Sequence, residues 1–278
     1  VRLITLLGWI GAALVGLPLL VLVLIQGYFR GQLALLWRRL VRTPGGGHFS
    51  EDMIEGLPPA AQRYLRHAIA PGTPLAGAVR MRIHAFYQAE DHGSGFWERR
   101  AVAPGRGGLW MTLSQTWPRW DSSDGFYIDG LGVERGAAWS LIPLRFTQYT
   151  VPDITRLFQI RTMHESLFVP ASLLPERGAV WQALDDQSAR VTVSLDGRSL
   201  PITLRIDPDG RLVEACFESW NFKGGEHWRD VPTSITVAEE RSFGGYTIPS
   251  SYTMTLYKEN QRDPGVAITY HIDEAAFS

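Results

Sequence analysis

From Leu3 to Ile25 the chain runs "LITLLGWIGAALVGLPLLVLVLI" without one charged side chain. A helix of this run, rising 1.5 Å per residue, covers about 34 Å and so spans a hydrocarbon core of ~30 Å. A single-pass transmembrane helix over 1–27 is therefore expected. Pro18 would break a soluble helix but is tolerated in spanning ones, where a kink or a neighbouring group absorbs the freed carbonyl. A cleaved signal peptide is the alternative. Its apolar region is shorter and precedes a small-residue cleavage site, and Gly27-Tyr28-Phe29-Arg30 is a poor one.

The next stretch, "FRGQLALLWRRLVR", places Leu33, Leu36, Trp37, Leu40 and Val41 at i, i+3, i+4, i+7 and i+8, with Arg38, Arg39 and Arg42 facing the other way. This predicts a basic amphipathic helix over 28–42 that lies along anionic headgroups or prolongs the spanning helix into them. Membrane lipids are thus the expected partners of Leu3–Ile25 and of the helix to Arg42. Residues 43–52, "TPGGGHFSED", read as a glycine-rich linker, and 53–278 as one domain.

Residues 1–50 hold five arginines and no acid, so the first fifty residues carry +5 and the remainder −6. A domain of that sign lacks the basic face that neutralises phosphates, so no nucleic-acid partner is expected. Four arginines follow the span against Arg2 before it, which by the positive-inside rule puts the domain in the cytoplasm. Cys216 is the single cysteine, and a disulfide framework is excluded.

Beyond the linker the pattern is that of an antiparallel sheet. "LPPAAQRYLRHAI" opens with a helix-start proline and puts Ala61, Tyr64, Leu65, Ala68 and Ile69 on one helical face. The period then falls to two: Val79, Met81, Ile83 and Ala85 alternate with polar or larger residues, as do Val191, Val193 and Leu195, and Tyr252, Met254 and Leu256. Further strands are expected near 96–103, 108–116, 124–130, 136–142, 145–151, 199–206, 211–220, 233–243 and 265–273. Asp196-Gly197 and Asp209-Gly210 mark hairpin turns. From Pro152 the spacing is helical through Ile154, Leu157, Phe158, Arg161 and Met163 toward Phe168, and Pro170 stops it. The fold class is mainly β, one strongly curved antiparallel sheet or half-barrel with a few covering helices.

Several stretches, in order, carry a resemblance: "GLPPAAQRYLRHAIAPGTPLAGAVRMRI", "ESLFVPASLLPERGAVWQALDD", "ARVTVSLDG", "DPDGRLVEACFESW" and "ERSFGGYTIPSSY". Over 54–277 the chain resembles an uncharacterised bacterial family of membrane-associated proteins of unknown function, which implies no established activity. Its expected architecture is similar to the half-barrel of bacterial lipoprotein carriers. That likeness points to the periplasmic side of a bacterial inner membrane, against the arginine count, and leaves the side undecided.

His164, Glu165 and Ser166 are adjacent, and consecutive side chains on a helix diverge by about 100°, so they do not form a triad. Glu165 alone sits where the resembling family carries a glutamate. Buried, it could orient a polar headgroup or act as an acid, although a hydrogen bond to the turn at 170–175 is the plainer reading. His84, Glu90, Asp91 and His92 have the chemistry of metal ligands, but "QAEDHGSG" reads as a solvated loop, and no metal or other cofactor is expected. Glu214, Cys216 and Glu218 share the wet face of a strand. Gly244-Gly245 precede strand residues, which favours a turn over a phosphate cradle. Eight of the ten tryptophans lie in the domain, and Trp110, Trp117 and Trp120 crowd one hairpin. They either fill the core or line an apolar cavity. The sequence thus favours binding of a lipid or other amphiphile without catalysis, with Glu165, Arg161, Trp110, Trp139 and Trp220 as the ligand-binding candidates. The alternatives are an envelope interaction module, and a hydrolase using Glu165 with His164 or His84.

Overall fold

The computed structural model describes residues 2–42, 45–87, 95–116, 119–139, 142–146, 151–223, 227–257 and 264–278. It opens with a single helix, α1 (Arg2–Val41), long and apolar enough to cross a membrane. The helix is continuous through position 28, so the spanning and basic segments share one axis. Leu14, Leu17, Val21 and Leu24 in its first half are exposed, whereas Leu33 and Leu40 in its second half are buried. They pack with Leu36, Trp37 and Val41 against Ala78, Ala101, Ala103 and Leu109. The apolar stripe that the periodicity assigns to a membrane surface covers protein instead, because small side chains on the sheet let the helix approach. Arg39 fastens the contact by a bidentate pairing with Asp129 at 2.9 and 3.1 Å.

After α2 (Pro59–Ala68) come β1 (Val79–Tyr87), β2 (Gly95–Ala103), β3 (Gly107–Thr116), β4 (Arg119–Ile128), β5 (Leu131–Ala138) and β6 (Ile142–Phe146). Helix α3 (Val151–His164) interrupts the strands. They resume as β7 (Val180–Ala183), β8 (Ser188–Leu195), β9 (Arg198–Ile206), β10 (Leu212–Lys223), β11 (His227–Phe243), β12 (Tyr246–Tyr257) and β13 (Pro264–Phe277). All belong to one 13-stranded sheet in the order β6-β5-β4-β3-β2-β1-β13-β12-β11-β10-β9-β8-β7. Two meanders run outward from a central antiparallel pair, β1 against β13, and α3 bridges them, packing on β3 to β5 of one and β8 to β10 of the other. This is the curved antiparallel sheet with few helices that the alternation implies.

Two differences from the expected strands stand out. Asp129 and Gly130 adopt φ of +50° and +79°, a tight hairpin turn at the end of the strand expected near 124–130, so β4 ends at Ile128 and β5 begins at Leu131, before the strand expected near 136–142. The run expected as a strand at 145–151 ends at Phe146, and α3 starts at Val151.

Glycine lets α3 lie close to the sheet. A Cβ on Gly132 would stand 2.5 Å from the Thr155 Cα, and the Gly132 amide donates to Thr155 Oγ1 at 3.1 Å. On Gly125 a Cβ would meet the Phe158 ring at 2.2 Å. The concave core closes over α2, where Ala61, Tyr64, Leu65 and Ala68 are buried as the helical spacing requires.

Candidate functional site

α3 ends at His164, and a 3-10 turn, Glu165–Phe168, carries the chain on. The three adjacent polar residues do not converge on one point. His164 and Glu165 face a cavity of about 350 Å³ under α3, whereas Ser166 lines a different one. The cavity runs along the inner faces of β10 to β13. Its walls are apolar, among them Leu157, Ile160, Trp220, Met254, Leu256 and Ile268. Val266, 46% exposed, stands at its open end.

The closed end is polar. Arg100 reaches in from β2 and is 2% exposed, and Glu165 is 1% exposed. Arg100 Nη1 donates to Glu165 Oε1 at 2.8 Å and to the Tyr252 hydroxyl at 3.1 Å, and Trp110 Nε1 donates to the same Oε1 at 3.2 Å. Arg100 Nε also donates to Glu98. Glu98 in turn accepts two bonds from Arg161 Nη2, at 2.9 and 3.1 Å, and one from Thr112 Oγ1 at 3.2 Å. Two guanidiniums therefore face two carboxylates, and the cluster as a whole is neutral. Burial alone would raise the Glu98 carboxyl, but Arg100 and Arg161 outweigh it and hold it at about 2. Burial would lower the Arg100 guanidinium, yet Glu165 and Glu98 hold it well above its usual range. His164, stacked on Phe217 with centroids 4.7 Å apart, is pushed far below the ordinary imidazole range by burial and by Arg161 and Arg100. It is a neutral ring at physiological pH.

Among the described residues, two buried polar atoms of cavity-lining side chains at this end lack a partner, His164 Nδ1 and Glu165 Oε2, and the second is a carboxylate oxygen. Glu165 Oε2 is buried and accepts no hydrogen bond among the described residues, although it belongs to a side chain that lines the cavity. A buried carboxylate oxygen left so costs free energy until a donor reaches it.

The five residues singled out in the sequence divide. Glu165 and Arg161 line the cavity, and Trp220 forms part of its wall while donating to Asp153 at 3.2 Å. Trp110 lies behind the wall, fully buried between Arg161, 4.6 Å above its ring, and Phe158, 5.4 Å away. Trp139 does not join them: it is 55% exposed at the end of β5 with φ of +48°. The turn at 170–175, taken as the plainer partner of Glu165, is not its partner, because Arg100 and Trp110 claim the carboxylate. Arg100 and Glu98 were missed since both read as polar positions of an alternating strand. Glu90, Asp91, His92 and Trp117 lie outside the described residues, as does the Trp120 side chain. Cys216 is exposed while Ala215 and Phe217 are buried, as the alternation of β10 implies. Gly244 and Gly245, at φ of +57° and +92°, form the turn between β11 and β12.

Residues 47–266 match a family described as "Family of unknown function (DUF6544)". No curated relative matches the chain. Among solved structures it is similar to a putative outer membrane lipoprotein-sorting protein domain from Vibrio parahaemolyticus, at 10% identity over 73% of this chain and 86% of that one, with a TM-score of 0.36. A LolA superfamily protein from Nitrosomonas europaea is similar at 10% identity over 79% and 92% of the two chains, with a TM-score of 0.37. A DUF1329 family protein from Desulfovibrio piger gives 9% identity, 73% and 86% coverage, and a TM-score of 0.36. Likeness at this level carries no argument about what this chain binds.

Proposed function

The chain belongs to DUF6544, a family of unknown function, and we propose that it is a single-pass protein of a bacterial inner membrane that binds a single-chain amphiphile under α3, without covalent chemistry. The observation that carries the reading is Glu165 Oε2, a buried oxygen without a partner at the closed end of an apolar cavity. The walls take the hydrocarbon tail, and Glu165 takes a donor on the head. Because Glu98 and Glu165 offset Arg100 and Arg161, the cavity offers no surplus positive charge to an anionic head. The ligand is therefore neutral or zwitterionic and bears a hydroxyl or amine, as a monoacylglycerol does. A volume of about 350 Å³ suits one chain rather than several.

The energetics are adequate. Each buried methylene contributes about 0.8 kcal/mol, so ten contribute roughly 8 kcal/mol before the cost of association. α1 supplies the membrane as the source of ligand, and its docked second half holds the sheet close to that source. The test is competition for a fluorescent monoacylglycerol by the full chain in nanodiscs. Displacement by unlabelled monoacylglycerol, and more weakly by the matching fatty acid, supports the reading; no saturable binding, or a fatty-acid preference, contradicts it.

A further inference from the structure

A second cleft, of about 600 Å³, lies on the opposite face of the sheet, between the docked half of α1 and β2 to β5. Four arginines line it: Arg30 and Arg38 from α1, Arg99 from β2 and Arg135 from β5. Among the described residues that line it Asp124 is the one acid, which leaves a net +3 for that lining. Two of the guanidiniums are held by aromatic rings on α1, Arg135 at 4.0 Å over Phe29 and Arg99 at 4.9 Å over Trp37. A ring beneath a guanidinium engages its face and leaves its N–H donors, the fork that matches a phosphate, for another acceptor.

The cleft's position narrows the ligand. Its first lining residue is Gln26, immediately after the apolar run. At 1.5 Å per residue, Arg30 stands about 8 Å and Arg38 about 20 Å beyond Ile25. The headgroup layer adds about 5–7 Å to each side of the hydrocarbon core, so the Gln26 end of the cleft opens at headgroup level, with Arg30 at the outer edge of that layer and Arg38 beyond it. Trp97, 46% exposed, lines it with the amphipathic ring favoured at that depth. A stop-transfer flank needs arginines on α1 alone. Arg99 and Arg135 come instead from distant strands of the sheet, and a built cleft requires that convergence.

Resting on the reading of α1 as a membrane anchor, we infer that this cleft holds the phosphate-bearing head of one anionic phospholipid from the anchoring membrane. The site is distinct from the neutral cavity under α3 and selects the opposite head chemistry. Bound there, the lipid ties α1 to the sheet at the bilayer surface.

The test reconstitutes the full chain in nanodiscs of equimolar phosphatidylcholine and phosphatidylglycerol, then counts retained lipids by native mass spectrometry. One phosphatidylglycerol per chain is expected, and Arg99→Gln with Arg135→Gln should lower its retention roughly tenfold or more. Arg82→Gln removes an exposed β1 arginine that does not line the cleft and should leave retention unchanged, with all variants matched by circular dichroism. Equal retention of both lipids, or the same loss in Arg82→Gln, overturns the inference. A chain that does not insert overturns the anchor reading as well, whereas insertion without lipid preference overturns the cleft alone.

Discussion

Arg100 Nη1 stands 2.8 Å from Glu165 Oε1, joining the second strand of the sheet to the turn that ends α3. That ion pair, buried on both sides, sets where the cavity stops and which oxygen of Glu165 remains for a ligand. Removing Arg100 leaves Arg161 as the one cation for both buried carboxylates, bonded to Glu98 and 3.9 Å from Glu165, so Arg100→Gln should destabilise the protein by about 3–5 kcal/mol. Glu165→Gln keeps the shape and a carbonyl acceptor and should cost less, about 1–3 kcal/mol. Thermal unfolding followed by tryptophan fluorescence checks the order; equal effects would contradict it.

Val266 lines the cavity at its exposed end, so Val266→Trp should occlude the mouth with less than about 1 kcal/mol change in stability. Monoacylglycerol binding should weaken at least about tenfold. Trp139→Ala should leave affinity unchanged, because Trp139 is exposed and away from the lining. Titrations of the two variants against the unaltered chain decide the matter.

Acid should act in two stages. His164 has a folded pKa well below its ordinary 6.5, so the unfolded chain takes up that proton first. Its contribution is present above pH 6.5 and declines as pH falls below it. Glu98 has a folded value of about 2 against an ordinary 4.5, so its contribution is present above 4.5 and is lost as pH falls toward 2. Melting temperature against pH should therefore start to fall below about 6.5 and steepen below about 4.5. His164→Phe, which retains an aromatic ring against Phe217, should abolish the first stage and leave the second. Persistence of the first stage in this variant would assign it to another group.

Gly132→Ala places a methyl against the α3 backbone rather than against a flexible side chain. The helix must shift, at about 1–3 kcal/mol. Gly136→Ala, on the same strand with only one atom near 3.9 Å, should cost far less. Comparable melting temperatures for the two variants would mean that α3 does not press on β5 as described.

Much of the fold was legible because the signals were periodic. Val79, Met81, Ile83 and Ala85 alternate in sequence and are buried in β1. Two of the stretches that carry the family resemblance, the one opening at Gly56 and "ERSFGGYTIPSSY", also touch: Ala70 N donates to Gly245 O at 2.9 Å, and the Tyr246 hydroxyl donates to Pro74 O at 2.7 Å. The site was only half legible. Glu165 and Arg161 stand in one helical stretch, but their counterparts Glu98 and Arg100 lie on β2, and no local pattern marks an inward-facing charge whose partner is so distant in sequence. The second half of α1 misled for a related reason, since amphipathicity gives the presence of an apolar face but not whether lipid or protein covers it.

The most direct test of the cavity is photolabelling of the full chain in nanodiscs with a diazirine-bearing monoacylglycerol, mapped by peptide mass spectrometry. The account expects adducts on α3 and on β12–β13, around Leu157, Met254 and Ile268, that are competed by unlabelled monoacylglycerol and lost in Val266→Trp. Adducts confined to α1, or labelling of β12–β13 that neither competition nor Val266→Trp reduces, would contradict it.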